Sequence, residues 1–99
     1  MLLHLKQGLI PIRDWQGNGF SVVVSGDCCP WESGIEIIES GNAASIIAEV
    51  KPFIDSADIR VIQFEAPLAD ADSPTDKSGP NLRCPVICRE LLRDNFDVA

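Results

Sequence analysis

The sequence predicts a small α+β domain, in which one central helix (42–55) packs on a largely antiparallel sheet of about four strands. The first observation behind this prediction is the stretch 42–66, where a helical spacing of apolar residues is followed at once by a β-strand pattern. The second is the stretch 20–25, the clearest strand pattern in the chain, with Phe20, Val22 and Val24 on one face. The third is a short helical pattern at 85–96. With 99 residues, enough for one core, we expect a single domain, 1–99.

The first half of the chain favours strands. Residues 2–12 alternate weakly, and the Gly-Asn-Gly turn at 17–19 predicts a hairpin that joins them to the strand 20–25. A loop rich in turn-forming residues follows at 26–34. The β-branched content of 35–39 favours a third strand, although five residues are too few for periodicity to decide.

The central helix is predicted from apolar residues at steps of three and four between 43 and 57. Pro52 lies inside this pattern, and its ring would collide with the carbonyl group of Ala48. We therefore expect a kink, or an end to the regular helix near Val50. The next residues, 59–66, are rich in β-forming side chains and predict the last strand. Because a helix crosses from the third strand to this one, one parallel pair of neighbouring strands is allowed.

The last third of the chain begins with the longest loop, at 67–81, which is acidic and rich in turn formers. A short C-terminal helix is then predicted at 85–96, with Pro85 in its first turn. One side of this helix is predicted to carry Cys84, Cys88, Leu91, Leu92 and, at its margin, Asn95, so we expect this side to face the core. The final residues, 97–99, are expected to fray.

The charge balance narrows the classes of partner. Fifteen acidic residues against eight basic ones give a net charge of −7, which argues against nucleic acid and against anionic lipid. The same charge suits a protein partner of basic character. No stretch approaches the ~18 apolar residues that would span a bilayer, and the N-terminus does not read as a secretion signal. The prediction is a cytoplasmic protein with reduced cysteines.

The cysteines allow a thiol-redox or zinc-binding function as the alternative. The four residues concerned are Cys28, Cys29, Cys84 and Cys88. Structural zinc sites usually have two knuckles with spaced cysteines, whereas Cys28 and Cys29 are adjacent. A disulfide between one residue of each pair is equally allowed. The simpler interpretation, which we prefer for Cys84 and Cys88, is that they are small core residues, so no metal or other cofactor is predicted.

Loop tryptophans flanked by acids predict a surface that binds a protein. Exposed tryptophan is typical of the energetic centre of protein interfaces. The predicted partner-binding residues are Asp14, Trp15, Trp31, Glu32, Asp70 and Asp72. The competing interpretation is that each tryptophan folds back onto the core. The acids of the 67–81 loop do not fit a calcium loop, because Thr75 and Asn81 occupy positions that need Gly and Glu.

The chain is poorly supplied for catalysis, with a single histidine, His4, and no tyrosine. We therefore predict a small, acidic, non-enzymatic protein-binding module, either an accessory protein or one that resembles inhibitor and immunity proteins in size, charge and outline. The strand at 59–65 is apolar on both sides, so it must be covered twice or lie at an interface. A homodimer would provide such an interface.

Overall fold

The computed structural model describes residue 17 and residues 19–99. Two parallel strands are joined by three short helices, and a short helical segment follows the second strand. In chain order the elements are β1 (Val22–Cys28), α1 (Ser33–Glu39), α2 (Ala43–Ile47), α3 (Lys51–Asp55), β2 (Ile59–Phe64), a 3-10 turn (Val86–Cys88) and α4 (Arg89–Leu92). In the part of the chain that the structure describes, no helix is long and apolar enough to cross a membrane.

The sheet corrects the predicted fold class. Within residues 19–99 it has two strands, not about four, and they run parallel: Val22 pairs with Ile59 and Val24 with Val61. The prediction of a largely antiparallel sheet is therefore wrong, although the fold remains a small α+β arrangement. The physical reason is the helical crossover, which returns the chain to the same end before β2 begins. The predicted first strand at 2–12 lies outside the described residues.

The predicted strand at 35–39 is wrong, because these residues belong to α1. Ile38 is 2% exposed, and the core that it enters outweighs the β-propensity of a five-residue isoleucine-rich run. The helix ends at Glu39, and the chain turns away two residues later at Gly41, whose φ is +86°. There the N–H of Gly41 donates to the Ile38 carbonyl oxygen at 3.0 Å, and that of Asn42 donates to the Ile37 carbonyl oxygen at 3.1 Å.

The single central helix predicted at 42–55 is also wrong, because the chain forms two helices there, α2 and α3. The break falls where the proline predicted an interruption, and Pro52 sits in the first turn of α3, where a missing N–H costs least. Ala43 and Ile47 from α2 and Ile54 from α3 are buried, so both helices still pack on the core.

The core lies on one face of the sheet. The pairing of β1 with β2 shifts in register between Val24 and Asp27, and beyond the shift Cys28 pairs with Phe64. The side chains of Cys28 and Phe64 both contact the core. Nothing in residues 19–99 covers the opposite face, which carries the exposed apolar side chains Val22, Val24 and Ile59. Because helices cover only one face, the described structure leaves β1 and β2 with an apolar surface in solvent.

The C-terminal segment completes the core. The predicted helix at 85–96 is shorter than expected, since regular structure runs only from the 3-10 turn through α4. Cys84, Cys88 and Leu91 are fully buried there, as predicted. The expected fraying at 97–99 is wrong for Val98, which bridges Val61 in a parallel sense and accepts a hydrogen bond from the Ile62 N–H at 3.0 Å.

Candidate functional site

The carboxyl ends of β1 and β2 bring two acidic side chains to one edge. Asp27 pairs with Gln63, and the N–H of Glu65 donates to the Cys28 carbonyl oxygen at 2.9 Å, which extends the pairing beyond β2. Side chains alternate along a strand, so Asp27 and Glu65 share the open face of the sheet, and both are exposed. We call this pair the carboxyl edge.

The sequence interpretation missed both acids of the carboxyl edge. It placed Asp27 in a loop, and it gave Glu65 no role at the end of the strand 59–66. A parallel interpretation of the strand–helix–strand order would have found them, because parallel strands end at the same edge.

A cleft of about 680 Å³ opens beside the carboxyl edge, with Glu65 in its wall. The rest of the lining comes from the long loop and the two residues after it, and its polar members are Asp72, Ser73, Thr75, Lys77, Asn81 and Arg83. The amide of Asn81 spans the loop, accepting from the Thr75 N–H at 3.3 Å and donating to the Thr75 carbonyl oxygen at 3.2 Å. The cleft therefore has a polar wall that is held in shape by its own hydrogen bonds.

A second cleft, of about 310 Å³, is lined by Trp31, Glu32, Ile35, Asp72, Asn81, Arg83 and Pro85. We call it the Trp31 cleft. The Asp72–Arg83 ion pair lies in the walls of both clefts, with 2.6 Å between Nε and Oδ1. Arg83 also donates through Nη1 to the Ala69 carbonyl oxygen at 2.8 Å, so this shared wall is tied to the loop backbone.

The Trp31 cleft unites three of the six predicted partner-binding residues, namely Trp31, Glu32 and Asp72. Trp31 is 55% exposed, so it does not fold back onto the core in the described structure. Asp70 has a different position: its carboxylate accepts from the Val86 N–H at 2.9 Å, at the start of the 3-10 turn. The other two predicted residues, at positions 14 and 15, lie outside the described residues.

The turn that presents Trp31 has an unusual backbone. Glu32 has a φ of +41°, a backbone angle that residues other than glycine rarely adopt. Its neighbours hold it there, since the Trp31 carbonyl oxygen accepts from the Gly34 N–H at 2.8 Å and the Glu32 carbonyl oxygen accepts from the Glu36 N–H at 3.1 Å. The start of α1 therefore fixes the backbone from which the indole projects.

The fold also brings the four cysteines together. Cys84 and Cys88 are fully buried, and the half-buried Cys28 and Cys29 pack against the same core. The Cys84 thiol donates to the Pro30 carbonyl oxygen, with 3.4 Å between sulfur and oxygen. Its other neighbours are the thiols of Cys29 and Cys88. Residues that are 55 positions apart in the sequence thus form one thiol cluster.

Burial controls the protonation of this cluster. Removal from water, and then the neighbouring thiols, raise the pKa of Cys84 to about 12. Burial likewise raises the pKa of the Cys28 and Cys88 thiols. These three groups are therefore protonated thiols at neutral pH. Among residues 19–99, no group of three or more His, Cys, Asp or Glu side chains has a geometry that could hold a metal ion.

Comparison with known proteins gives one match. The family model described as bacterial capsule synthesis protein PGA_cap matches residues 21–99, which include every helix and strand given above. No curated protein and no solved structure matches the chain. Because the family model covers well over half of the sequence, this chain belongs to the PGA_cap family of bacterial capsule synthesis proteins.

Proposed function

We propose that this chain acts in the synthesis of a bacterial capsule and binds its ligand at the carboxyl edge. The family match supports the process. The observation that carries the location is the shared exposed face of Asp27 and Glu65 at the ends of adjacent parallel strands. In open sheets with parallel strands, ligands bind in the crevice outside the carboxyl ends of those strands.

The chemistry of the edge suggests the kind of ligand. Carboxylate groups accept hydrogen bonds, so Asp27 and Glu65 suit hydroxyl or ammonium groups. The adjoining cleft of about 680 Å³ adds Ser73 and Thr75 hydroxyl groups and the Lys77 ammonium group. A capsule precursor or polymer segment with several hydroxyl or amino groups would meet these donors and acceptors together.

The test replaces each carboxylate by its amide in the full protein, as Asp27→Asn and Glu65→Gln, in a strain that lacks the unaltered gene. We expect both variants to lose capsule production while their thermal unfolding midpoints stay unchanged, because both side chains are exposed. The matched control is Asp76→Asn, an exposed loop acid that lines neither cleft. Normal capsule from both edge variants would refute the proposal.

The second candidate is the non-enzymatic, accessory role that the sequence predicts, in which the chain docks on a protein of basic character. The observation that favours it is the 55% exposure of Trp31, fixed beside Glu32 at a cleft. Aromatic side chains of this kind dominate binding energy at protein interfaces. The net charge of −7 would steer a basic partner, with an association rate that falls as salt rises.

The two candidates predict opposite outcomes for the same variants. Binding of the other capsule synthesis proteins of the same bacterium should weaken by at least about tenfold in Trp31→Ala if the docking role is right. The matched control is Phe53→Ala, a partly exposed aromatic on α3 that lines neither cleft. Asp27→Asn should keep that binding. Loss of capsule production in Asp27→Asn, together with normal protein binding in Trp31→Ala, would instead favour the carboxyl edge.

Compartment and assembly complete the proposal. A cytoplasmic location is supported by the four free thiols, which a reducing compartment preserves. A homodimer is supported by the open apolar face of the sheet, where Val22, Val24 and Ile59 are exposed. Light scattering after size-exclusion chromatography tests the dimer, since a mass of 10.8 kDa at all concentrations would exclude it. A compartment-specific thiol-labelling reagent applied to intact cells tests the location.

A further inference from the structure

The thiol cluster has a defined geometry around Cys84. The Cys84 backbone is held on both sides, since its N–H donates to the Pro67 carbonyl oxygen at 3.0 Å and its carbonyl oxygen accepts from the Ala69 N–H at 2.9 Å. Its sulfur reaches across to the Pro30 carbonyl oxygen at 3.4 Å. The residue before Pro30 is Cys29, whose thiol neighbours that of Cys84. The two sulfur atoms are thus brought together by two separate chain segments.

Access to the cluster is unequal. Cys84 and Cys88 are fully buried, whereas Cys28 and Cys29 are partly exposed. A reagent from solvent can therefore reach Cys28 and Cys29 before the buried pair, and of these two it is Cys29 whose thiol neighbours that of Cys84. This arrangement of one accessible thiol and one buried neighbouring thiol matches the attacking and resolving positions in thiol–disulfide exchange.

We propose that Cys29 and Cys84 form a modification site, which a small-molecule disulfide converts into an intramolecular disulfide. In the first step the Cys29 thiolate attacks one sulfur of the reagent R–S–S–R, which forms Cys29–S–S–R and releases RS⁻. That RS⁻ takes up the proton that Cys29 had lost. Neither cysteine lines the cleft beside the carboxyl edge or the Trp31 cleft.

In the second step the Cys84 thiol gives its proton to solvent and attacks the sulfur of Cys29. The Cys29–Cys84 bond forms, and the second R–S group leaves and is protonated to RSH. The protein loses two hydrogen atoms and two electrons, and the reagent is reduced to two thiols. Because the pKa of Cys84 is about 12, this step should accelerate about tenfold for each pH unit in the range where the protein stays folded.

Oxidised glutathione is a suitable probe for the reduced full chain. The remaining thiols are then alkylated and the intact mass is measured. With the mass of the alkyl groups subtracted, we expect the oxidised chain to be lighter than the reduced chain by two hydrogen atoms. A proteolytic map should contain a Cys29–Cys84 linked peptide. In Cys84→Ala the second step is impossible, so glutathione should stay attached to Cys29. Cys28→Ala is the matched control and should form the disulfide as the unaltered chain does.

Several results would overturn the proposal. These are a lasting glutathione adduct on the unaltered chain, a map that pairs Cys84 with Cys88 or uses Cys28, and a reaction that appears only in denaturant. The peptide map of the unaltered chain decides among them without depending on the folding of any variant. Circular dichroism of Cys84→Ala shows whether the glutathione adduct formed on folded protein. If the folded variant carries the adduct but the unaltered chain forms no disulfide, the resolving role of Cys84 is also refuted.

Discussion

Arg60 and Asp97 form an ion pair between their side chains and further hydrogen bonds that involve their backbones, and we call this arrangement the Arg60–Asp97 clasp. The Arg60 guanidinium donates through Nε to Oδ2 at 3.1 Å and through Nη2 to Oδ1 at 3.0 Å. The Arg60 N–H donates to Oδ2 at 2.8 Å, and the Asp97 N–H donates to the Arg60 carbonyl oxygen at 2.8 Å. This clasp attaches the end of the chain to the edge of β2.

The clasp makes stability depend on pH in the acid range. Hydrogen bonds from the Arg60 side chain, and then from its backbone, lower the pKa of Asp97 below its ordinary 3.8. The ionised Asp97 carboxylate therefore contributes fully to the free energy of unfolding at pH values above its pKa in the unfolded chain. This contribution is lost as the pH falls through the lower pKa that Asp97 has in the folded protein. We expect Asp97→Asn to lower the thermal unfolding midpoint at neutral pH and to flatten the decline below about pH 4. In the control, Asp76→Asn, the thermal unfolding midpoint should decline with falling pH as steeply as in the unaltered chain. An equally steep decline in the unaltered chain, Asp97→Asn and Asp76→Asn would contradict this account.

Two glycines give a matched test of backbone conformation. Gly41 has a φ of +86°, and a Cβ there would meet no atom within 4 Å, so Gly41→Ala changes only backbone strain. We expect a loss of about 1–2 kcal/mol in the free energy of unfolding, measured by urea titration. Gly26 also has open space around it but lacks a positive φ, and it lies in β1. Gly26→Ala should be neutral or stabilising by up to about 1 kcal/mol.

The core should depend strongly on Leu91, which is 0% exposed. Leu91→Ala removes buried methyl groups and leaves a cavity, so we expect a loss of about 2–5 kcal/mol in the free energy of unfolding. Ile87→Ala is the control on the neighbouring turn, because Ile87 is 41% exposed and should cost about 1 kcal/mol or less. A loss of about 1 kcal/mol or less in Leu91→Ala would contradict the assignment of Leu91 to the core.

Trp31 should matter little for stability. Because its indole is largely in solvent, we expect Trp31→Ala to change the free energy of unfolding by about 1 kcal/mol or less. Chemical denaturation followed by circular dichroism avoids dependence on the fluorescence of the residue removed. A collapse of the fold would show that Trp31 supports the core, and the docking surface would then lose its main support.

Local patterns predicted some elements well. The strand at 59–66 appears as β2, and the proline correctly indicated an interruption between α2 and α3. The direction of the strands was not accessible in this way, because it depends on whether the chain crosses over before pairing. The run 35–39 shows the same limit, since its isoleucines suit a strand locally and become helical only through the burial of Ile38.

The candidate sites differ in how far the sequence could indicate them. Trp31 and Glu32 are neighbours in the chain, so a surface around them was predictable. Asp27 and Glu65 become a pair only through parallel pairing, and an antiparallel interpretation separates them. The cysteines could be grouped by residue type alone, but only the packing of the Cys84 segment against the end of β1 reveals which thiols meet.

The parallel pairing has a consequence for the order of folding. At the start of the ladder, Ser21 meets Asp58, 37 residues further along the chain, through hydrogen bonds of 2.7 and 3.3 Å. Closing that long loop costs conformational entropy before any contact between the strands can offset it, whereas each intervening helical turn forms from near neighbours. We therefore expect the helical turns to form early and the strands to join late, so that refolding is limited by a slow search for register.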